Sequence, residues 1–380
     1  MKTIRFGIIG AGLMGREFAS AVARWCHLPQ IGVRPELLAV CDKNADLLPW
    51  YKDNFPTIRL LTDDYCKLLS DRQVDAVYVA VPHNLHQEVY GAVLAAGKHL
   101  MGEKPFGMDR PANDAIMAAI RQHPGLLVRC CSQFPFFPAV QKIGALVEAE
   151  SLGTIIEIET GFLHSSDLDP KKPLNWKRMI EINGAYGVMG DLGMHACHVP
   201  FRAGWRPRNV RAILSNIVSE RPDGKGGVAP CKTWDNATLL CEMADPHTGQ
   251  IFPWTFKSHR IAPGEKNTWY VNILGTRTSL RFSTKNPKCL AILQYDGREQ
   301  NWSSIDMGME TAIPTITGGI FEFGFSDAVQ QMWAAYLHEL IHGQPISKFA
   351  GCVTPEEVAL SHRLFTAALE SHQSATTIAL

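Results

Sequence analysis

Three residues of this 380-residue chain combine into an acid–base set: Lys104, Asp191 and His195. Asp191 and His195 stand four apart in Gly190-Asp191-Leu192-Gly193-Met194-His195, so on a helix they share one face and can meet one small molecule. An alcohol gives up hydride only as its hydroxyl proton leaves, and a neutral imidazole suits that transfer near pH 7. His195 therefore reads as the general acid/base. Asp191 is expected to orient its ring or to hydrogen-bond a neighbouring hydroxyl, and Lys104, at the carboxyl end of a strand, to stabilise alkoxide charge. Each has a plainer reading. Asp191 suits a helix N-cap, His195 a hydrogen-bonded core position, and Lys104 a solvated strand end.

A hydride needs an acceptor, and the N-terminus carries the motif for one. Gly10-Ala11-Gly12-Leu13-Met14-Gly15 lies between the strand Ile4-Arg5-Phe6-Gly7-Ile8-Ile9 and an apolar helical run from Phe18. In a G-x-G-x-x-G so placed, Gly10 takes the tight turn, Gly12 lets the backbone approach a pyrophosphate, and Gly15 lets the helix pack on the strand. The helix N-terminus then faces the phosphates. The next strand, Leu37-Leu38-Ala39-Val40-Cys41, ends in Asp42, somewhat further on than the about 20 residues usual for the ribose-binding acid. A carboxylate there accepts from a 2′-hydroxyl and repels a 2′-phosphate, which favours NAD. Lys43 beside it keeps NADP open.

Composition narrows the partners. Lys+Arg and Asp+Glu are 37 each, the formal net charge is zero, and no basic run or stripe suggests nucleic acid or an anionic membrane. The ten cysteines are scattered without C-x-x-C spacing. No apolar stretch reaches the roughly 18 residues of a membrane span, and the chain enters a core strand at once, so a cytoplasmic protein acting on a small molecule is expected. Cys197 between His195 and His198 supplies no complete ligand set, and no metal is expected.

The length exceeds the roughly 250–300 residues that one core supports, so two domains are expected. Up to about residue 131, strands alternate with helices, the pattern of a doubly wound parallel sheet. Its strongest strand, Val74 to Val81, is a nearly continuous apolar run, as befits burial on both faces. The expected break falls between a Rossmann domain at 1–132 and an α+β domain at 133–380. The latter reads as a largely antiparallel open sheet from strands at 154–162, 210–220, 236–243, 251–258, 268–274 and 290–295. Loops between 164 and 186 carry Trp176 and Lys177, which suit a sugar's C–H face and hydroxyls. Gln133 is a further candidate for the substrate.

Taken in order, Gly10 to Gly15, Ala80-Val81-Pro82-His83-Asn84-Leu85-His86, Gly97-Lys98-His99, Glu103-Lys104-Pro105 and Asp191-Leu192-Gly193-Met194-His195 resemble the Gfo/Idh/MocA oxidoreductases, the relatives of glucose-fructose oxidoreductase and inositol dehydrogenase. The likeness spans essentially the whole chain, because Thr354 to Ser371 resembles the family's closing helix. The resemblance implies cofactor contacts at Gly10, Gly12, Leu13, Met14, Gly15, Asp42, Pro82, Asn84, His86, Glu103 and Lys104. It implies substrate contacts at Gln133, Trp176, Lys177, Asp191 and His195, and a homo-oligomer, dimer or tetramer, built through the second sheet. The C-terminal helix is one that can pack back on the first domain. The chain departs from the family where relatives carry three glycines and a later aspartate: here stand Ala185-Tyr186-Gly187 and His198.

The implied activity is NAD(P)-dependent hydride transfer at a secondary hydroxyl of a sugar, sugar derivative or cyclitol. A glycosidase or lyase that oxidises, eliminates and re-reduces with a retained NAD is the alternative. A ligand-sensing regulator on the same fold fits less well, since it would be expected to lose the Lys104, Asp191 and His195 set.

Overall fold

Apolar three- to nine-residue strands, each followed by a helical run, produce the first sheet. The computed structural model describes residues 1–308 and 310–380. Strands β1 (Lys2–Ile9), β2 (Val33–Cys41), β3 (Leu60–Thr62), β4 (Ala76–Val79), β5 (His99–Gly102) and β6 (Val128–Cys130) are parallel throughout and ordered β3-β2-β1-β4-β5-β6. That order is the Rossmann arrangement, with the reversal of direction between β1 and β4, where dinucleotides bind beyond the carboxyl ends of the strands. Every residue of β4 is buried, as its unbroken apolar run requires.

The chain divides into two compact units. The first comprises Met1–Gly107, Pro111–Phe137 and Met309–Pro355, and the second Met108–Arg110, Pro138–Gly308 and Glu356–Leu380. A single break at residue 132 therefore omits a late return of the chain to the first unit. The returning element is the helix Phe325–His342, whereas most of the final helix, Pro355–Ser374, belongs to the second unit. Packing explains the return. Trp333 stacks on Phe18 with ring centroids 3.7 Å apart and meets Phe6 and Tyr78 edge-on, and Arg129 on β6 donates through Nε to Glu339 at 2.9 Å.

In the second unit the strands are β7 (Ile155–His164), β8 (Arg206–Pro207), β9 (Asn209–Ser215), β10 (Glu220–Pro222), β11 (Val228–Pro230), β12 (Asn236–Ala244), β13 (Ile251–His259), β14 (Lys266–Gly275), β15 (Thr278–Ser283), β16 (Cys289–Gln294), β17 (Ser303–Asp306) and β18 (Ile378–Ala379). The large sheet runs β17-β16-β15-β14-β7-β13-β12-β9-β18, with β8 beside β12, and only the β7–β13 pair is parallel. Inward positions alternate with outward ones: Ala237, Leu239, Cys241 and Met243 on β12 and Phe252, Trp254, Phe256 and Ser258 on β13 are buried. The strand expected over 210–220 is two elements. β9 stays in the sheet while β10 pairs with β11 in a separate ribbon, because buried Arg221 turns inward and donates to the carbonyls of Asp169 and Lys172 at 2.7 and 3.3 Å.

Candidate active site

In the first unit the glycine turn has the geometry that its three glycines demand. Gly10 adopts φ +105°, a conformation unfavourable for side-chain-bearing residues, and a Cβ there would lie 2.3 Å from the Ala80 carbonyl oxygen. A Cβ on Gly15 would lie 2.3 Å from the Gly10 carbonyl oxygen, so the helix Leu13–Ala23 sits hard against the turn. Gly12 differs, since a Cβ there would meet nothing within 4 Å. Gly12 is the N-cap of that helix, without a side-chain cap and without an acidic residue in the first turn. Open backbone at a helix N-terminus is an anion site in waiting. Leu13 beside it is exposed and Met14 half-buried. Asp42 closes the turn from β2: its Oδ2 accepts the Ala11 N–H at 2.7 Å and its Oδ1 the Asn44 N–H at 2.8 Å. The residues present thus fit a dinucleotide.

Beyond β4, Pro82 is half-buried and Asn84 exposed in the turn His83–Leu85. His86 and Glu103 are both held by contacts within the first unit. The His86 ring is fully buried and stacked on Tyr90 at 4.8 Å, with Nε2 3.1 Å from the Val81 carbonyl and Nδ1 facing the Gly107 N–H at 3.5 Å. It clamps two backbone turns. Glu103 likewise points inward: its carboxylate accepts from the Tyr78 hydroxyl at 2.7 Å, while the Tyr90 hydroxyl donates to its carbonyl. Burial pushes the Glu103 carboxyl up, against the pull of Lys104, Tyr78 and Cys131. These contacts fix the strand end from which half-buried Lys104 projects. Phe106, buried at φ +57°, and Gly107 at φ +101° complete the turn, which the Asn113 side chain ties down by donating to the Phe106 carbonyl at 3.0 Å. Gln133 is buried at the start of the turn Phe134–Phe136.

In the second unit Asp191 lies in a π-helical turn, Met189–Gly193, that leads into the helix Met194–Ala203. Such wide turns recur at functional sites. Asp191 is not a cap. Its Oδ2 accepts from Arg260 Nη2 at 2.7 Å and lies 3.2 Å from Lys177 Nζ. Lys177 in turn sits 5.7 Å above the centre of the Trp176 ring. Arg260 was not foreseen, although the signal exists: the inward alternation of β13 continues past Ser258 to position 260, which places a cation on the buried side. Asp167 stands 3.9 Å from Arg260 and 3.7 Å from Arg178. Burial alone would raise its carboxyl, but Lys172, Arg260 and Arg178 hold it below the usual range. His164, at the end of β7, is held below the ordinary imidazole range by burial and by Lys177 and Arg260. His195 is buried at 7% exposure, its ring against the edge of Phe162 at 5.6 Å and its carbonyl accepting the Trp269 indole N–H at 2.9 Å. A cavity of about 500 Å³ opens beside the same loop, lined by Ser165 and Leu168 and by Lys266, Asn267, Thr284 and Lys285.

The departures from the family pattern have structural explanations. Tyr186, where relatives carry glycine, is buried and hydrogen-bonds Thr366 Oγ1 at 2.6 Å and the His362 carbonyl at 3.2 Å; burial pushes its phenol up to about 12. His198 is buried beside Glu357, which Arg202 grips through Nε and Nη2 at 2.7 and 2.8 Å. Cys197 directs its Sγ to the Gly193 carbonyl, so the two side chains turn to different partners.

The fold order and the glycine turn define a dinucleotide-binding Rossmann unit. Residues 4–128 match the family model described as "Oxidoreductase family, NAD-binding Rossmann fold". The chain is similar to levoglucosan dehydrogenase of Pseudarthrobacter phenanthrenivorans, 25% identical over 300 residues that make up 74% of each chain. It is also similar to trans-1,2-dihydrobenzene-1,2-diol dehydrogenase of Sus scrofa, 25% identical over 212 residues, 55% of this chain and 59% of that one. Two solved structures share the fold. Levoglucosan dehydrogenase in complex with NADH and L-sorbose has a TM-score of 0.86 at 21% identity over 100% of this chain and 99% of that one. An inositol dehydrogenase homolog complexed with NAD+ from Azotobacter vinelandii has 0.78 at 18% over 100% and 98%. Among the described residues no helix is long and apolar enough to cross a membrane.

Proposed function

We propose that the chain transfers a hydride between NAD and a secondary hydroxyl of a sugar, sugar derivative or cyclitol. The observation that carries this reading is Asp191 fixed between two cations one helical turn before a buried histidine. An aspartate held by two cations is a fixed hydrogen-bond acceptor for a substrate hydroxyl, which leaves proton transfer to His195. Bound NAD supplies the hydride acceptor. Gly10, Gly12 and Gly15, with Leu13 and Met14, form the turn for its pyrophosphate, Asp42 is the acceptor for its ribose hydroxyls, and Pro82 and Asn84 flank the same strand ends. Lys104 stabilises negative charge on the reacting oxygen, and Trp176, Lys177 and Gln133 contact the sugar. A cytoplasmic homo-oligomer joined through the large sheet accompanies this reading, as the family resemblance implies.

The test is a panel of sugars and cyclitols incubated with the purified chain and added NAD. Accumulation of NADH supports the dehydrogenase. Release of an aglycone without net reduction would replace it with the redox-neutral glycosidase, and turnover of nothing in the panel, together with NAD binding, would favour a sensor.

A further inference from the structure

A line of alternating charges runs through the second unit: Asp235, Arg178, Asp167, Arg260, Asp191, Lys177. It is rooted in backbone, since Asp235 Oδ2 accepts the N–H groups of Ile217 and Val218 at 2.6 and 3.0 Å. Arg178 Nη2 donates to Asp235 Oδ1, and Asp167 Oδ2 lies between Arg178 Nε at 3.7 Å and Arg260 Nη1 at 3.9 Å. Lys172 adds a 2.8 Å pair to Asp167. Arg260 then passes the line to Asp191 at 2.7 Å, and Asp191 to Lys177 at 3.2 Å. Side chains of the first five are at most 3% exposed, while that of Lys177 is 40% exposed.

Buried ion pairs of this kind add little stability over apolar residues of similar volume, because desolvation consumes the Coulomb gain. A row of them that ends at one half-exposed ammonium is better explained by what it presents. The two cations on Asp191 are unequal. Arg260 is buried and its planar guanidinium has a fixed direction, whereas Lys177 has a flexible stem. Arg260 therefore sets where the carboxylate stands, and Lys177 follows it.

We propose that Arg260 is a positioning residue. It holds Asp191 as a fixed, ionised acceptor and, through Asp191, holds Lys177 as a fixed donor toward a substrate hydroxyl oxygen. This deepens the oxidoreductase reading and rests on it for the substrate. Arg260 and Lys177 pair with Asp191, His164 feels its charge, His195 lies one turn beyond it, and Asp167 faces the other side of Arg260. Removing the Arg260 charge makes ionised Asp191 and neutral His195 harder to maintain in acid. Removing the Asp167 charge does the reverse.

The experiment compares Arg260→Gln, Arg260→Lys and Asp167→Asn, with Lys232→Gln as a control that removes an exposed cation paired only with Glu181. Expected for Arg260→Gln is a fall in sugar kcat/KM of about tenfold or more with NAD affinity unchanged, and an acid limb of the pH profile moved to higher pH. Arg260→Lys should restore the limb and part of the rate. Asp167→Asn should move the limb to lower pH, and it carries the test if the glutamine variant does not fold. An unmoved limb, or one moved in the same direction by both neutralisations, overturns the proposal, because loosened packing has no charge sign. Hydrogen exchange gives a readout without substrate. The amides of 165–178 should exchange about tenfold faster or more in Arg260→Gln and near wild type in Arg260→Lys. If those amides respond but the wild type oxidises no sugar, the oxidoreductase reading fails and the positioning stands. If sugar is oxidised but neither limb nor exchange responds, the positioning fails and the reading stands.

Discussion

Oδ2 of Asp42 accepts the backbone N–H of Ala11 at 2.7 Å, so the residue expected to read the ribose also fastens the glycine turn. Asp42→Ala removes both functions. NAD affinity should fall, NADP affinity should fall less, and the ratio of NADP to NAD efficiency should rise. Asp42→Asn keeps an acceptor for the Ala11 N–H while removing the charge, so it should shift the ratio with a smaller loss of affinity. Steady-state kinetics with both cofactors under one condition check this, and a ratio that stays put would move cofactor selection to Lys43 or another side chain.

Lys104 and His195 carry the chemistry in the proposed function. Lys104→Ala and His195→Ala should each lower kcat by about 10² or more while NAD affinity and the melting curve stay near wild type. A histidine that accepts the alcohol proton must be neutral, so oxidation should weaken on the acid side, and that limb should vanish in His195→Ala. A limb that survives would exclude His195 as the base.

The glycine turn, the parallel sheet and the loop bearing Trp176 and Lys177 were legible because each is local: a strand, a turn residue or a periodic run announces itself within about ten residues. Asp191 and His195 were legible for the same reason, being one turn apart. Arg260, Asp167 and Asp235 were not, and Arg178 was legible only as one residue of the pocket loop, since their pairing depends on which strand ends meet across the sheet. His86 and Glu103 make contacts that their motif does not announce. Their motif places them next to cofactor-facing positions, but the pleat and the helical turn send these two side chains inward to Val81, Gly107, Tyr78 and Tyr90. The helix Phe325–His342 lies inside the expected 133–380 domain but packs in the first unit, and its apolar face alone fits any core. Only the fit of Trp333 on Phe18 reveals which.

Tyr186 ties its loop to the helix Pro355–Ser374 through Thr366 and His362. Tyr186→Phe keeps the ring and should cost about 1 kcal/mol, the usual worth of a hydrogen bond. Tyr186→Gly also empties a buried site, and a loss of about 3–5 kcal/mol is expected from large-to-small core changes. Denaturant melts of the two variants measure the difference. Equal losses would mean that the hydroxyl, not the ring, does the anchoring.

Acid sensitivity should have an identifiable origin in His198. Burial and the neighbouring Arg202 lower its imidazole to about 3 in the fold, against the pull of Glu357, while an unfolded histidine titrates near about 6.5. Below that value the unfolded chain binds a proton that the fold refuses, so His198 costs stability progressively as pH falls from about 6.5 toward about 3, and nothing above it. The slope from this one group is at most about 1.4 kcal/mol per pH unit. Replacing it by a residue of similar size that does not titrate, His198→Gln, should flatten the fall in melting temperature between pH 6.5 and 4 while leaving the kinetic acid limb of His195 in place. A melting profile that keeps its wild-type slope in this variant would assign the acid sensitivity to other buried groups, among which His164, half-buried and lowered by Lys177 and Arg260, is the next to replace.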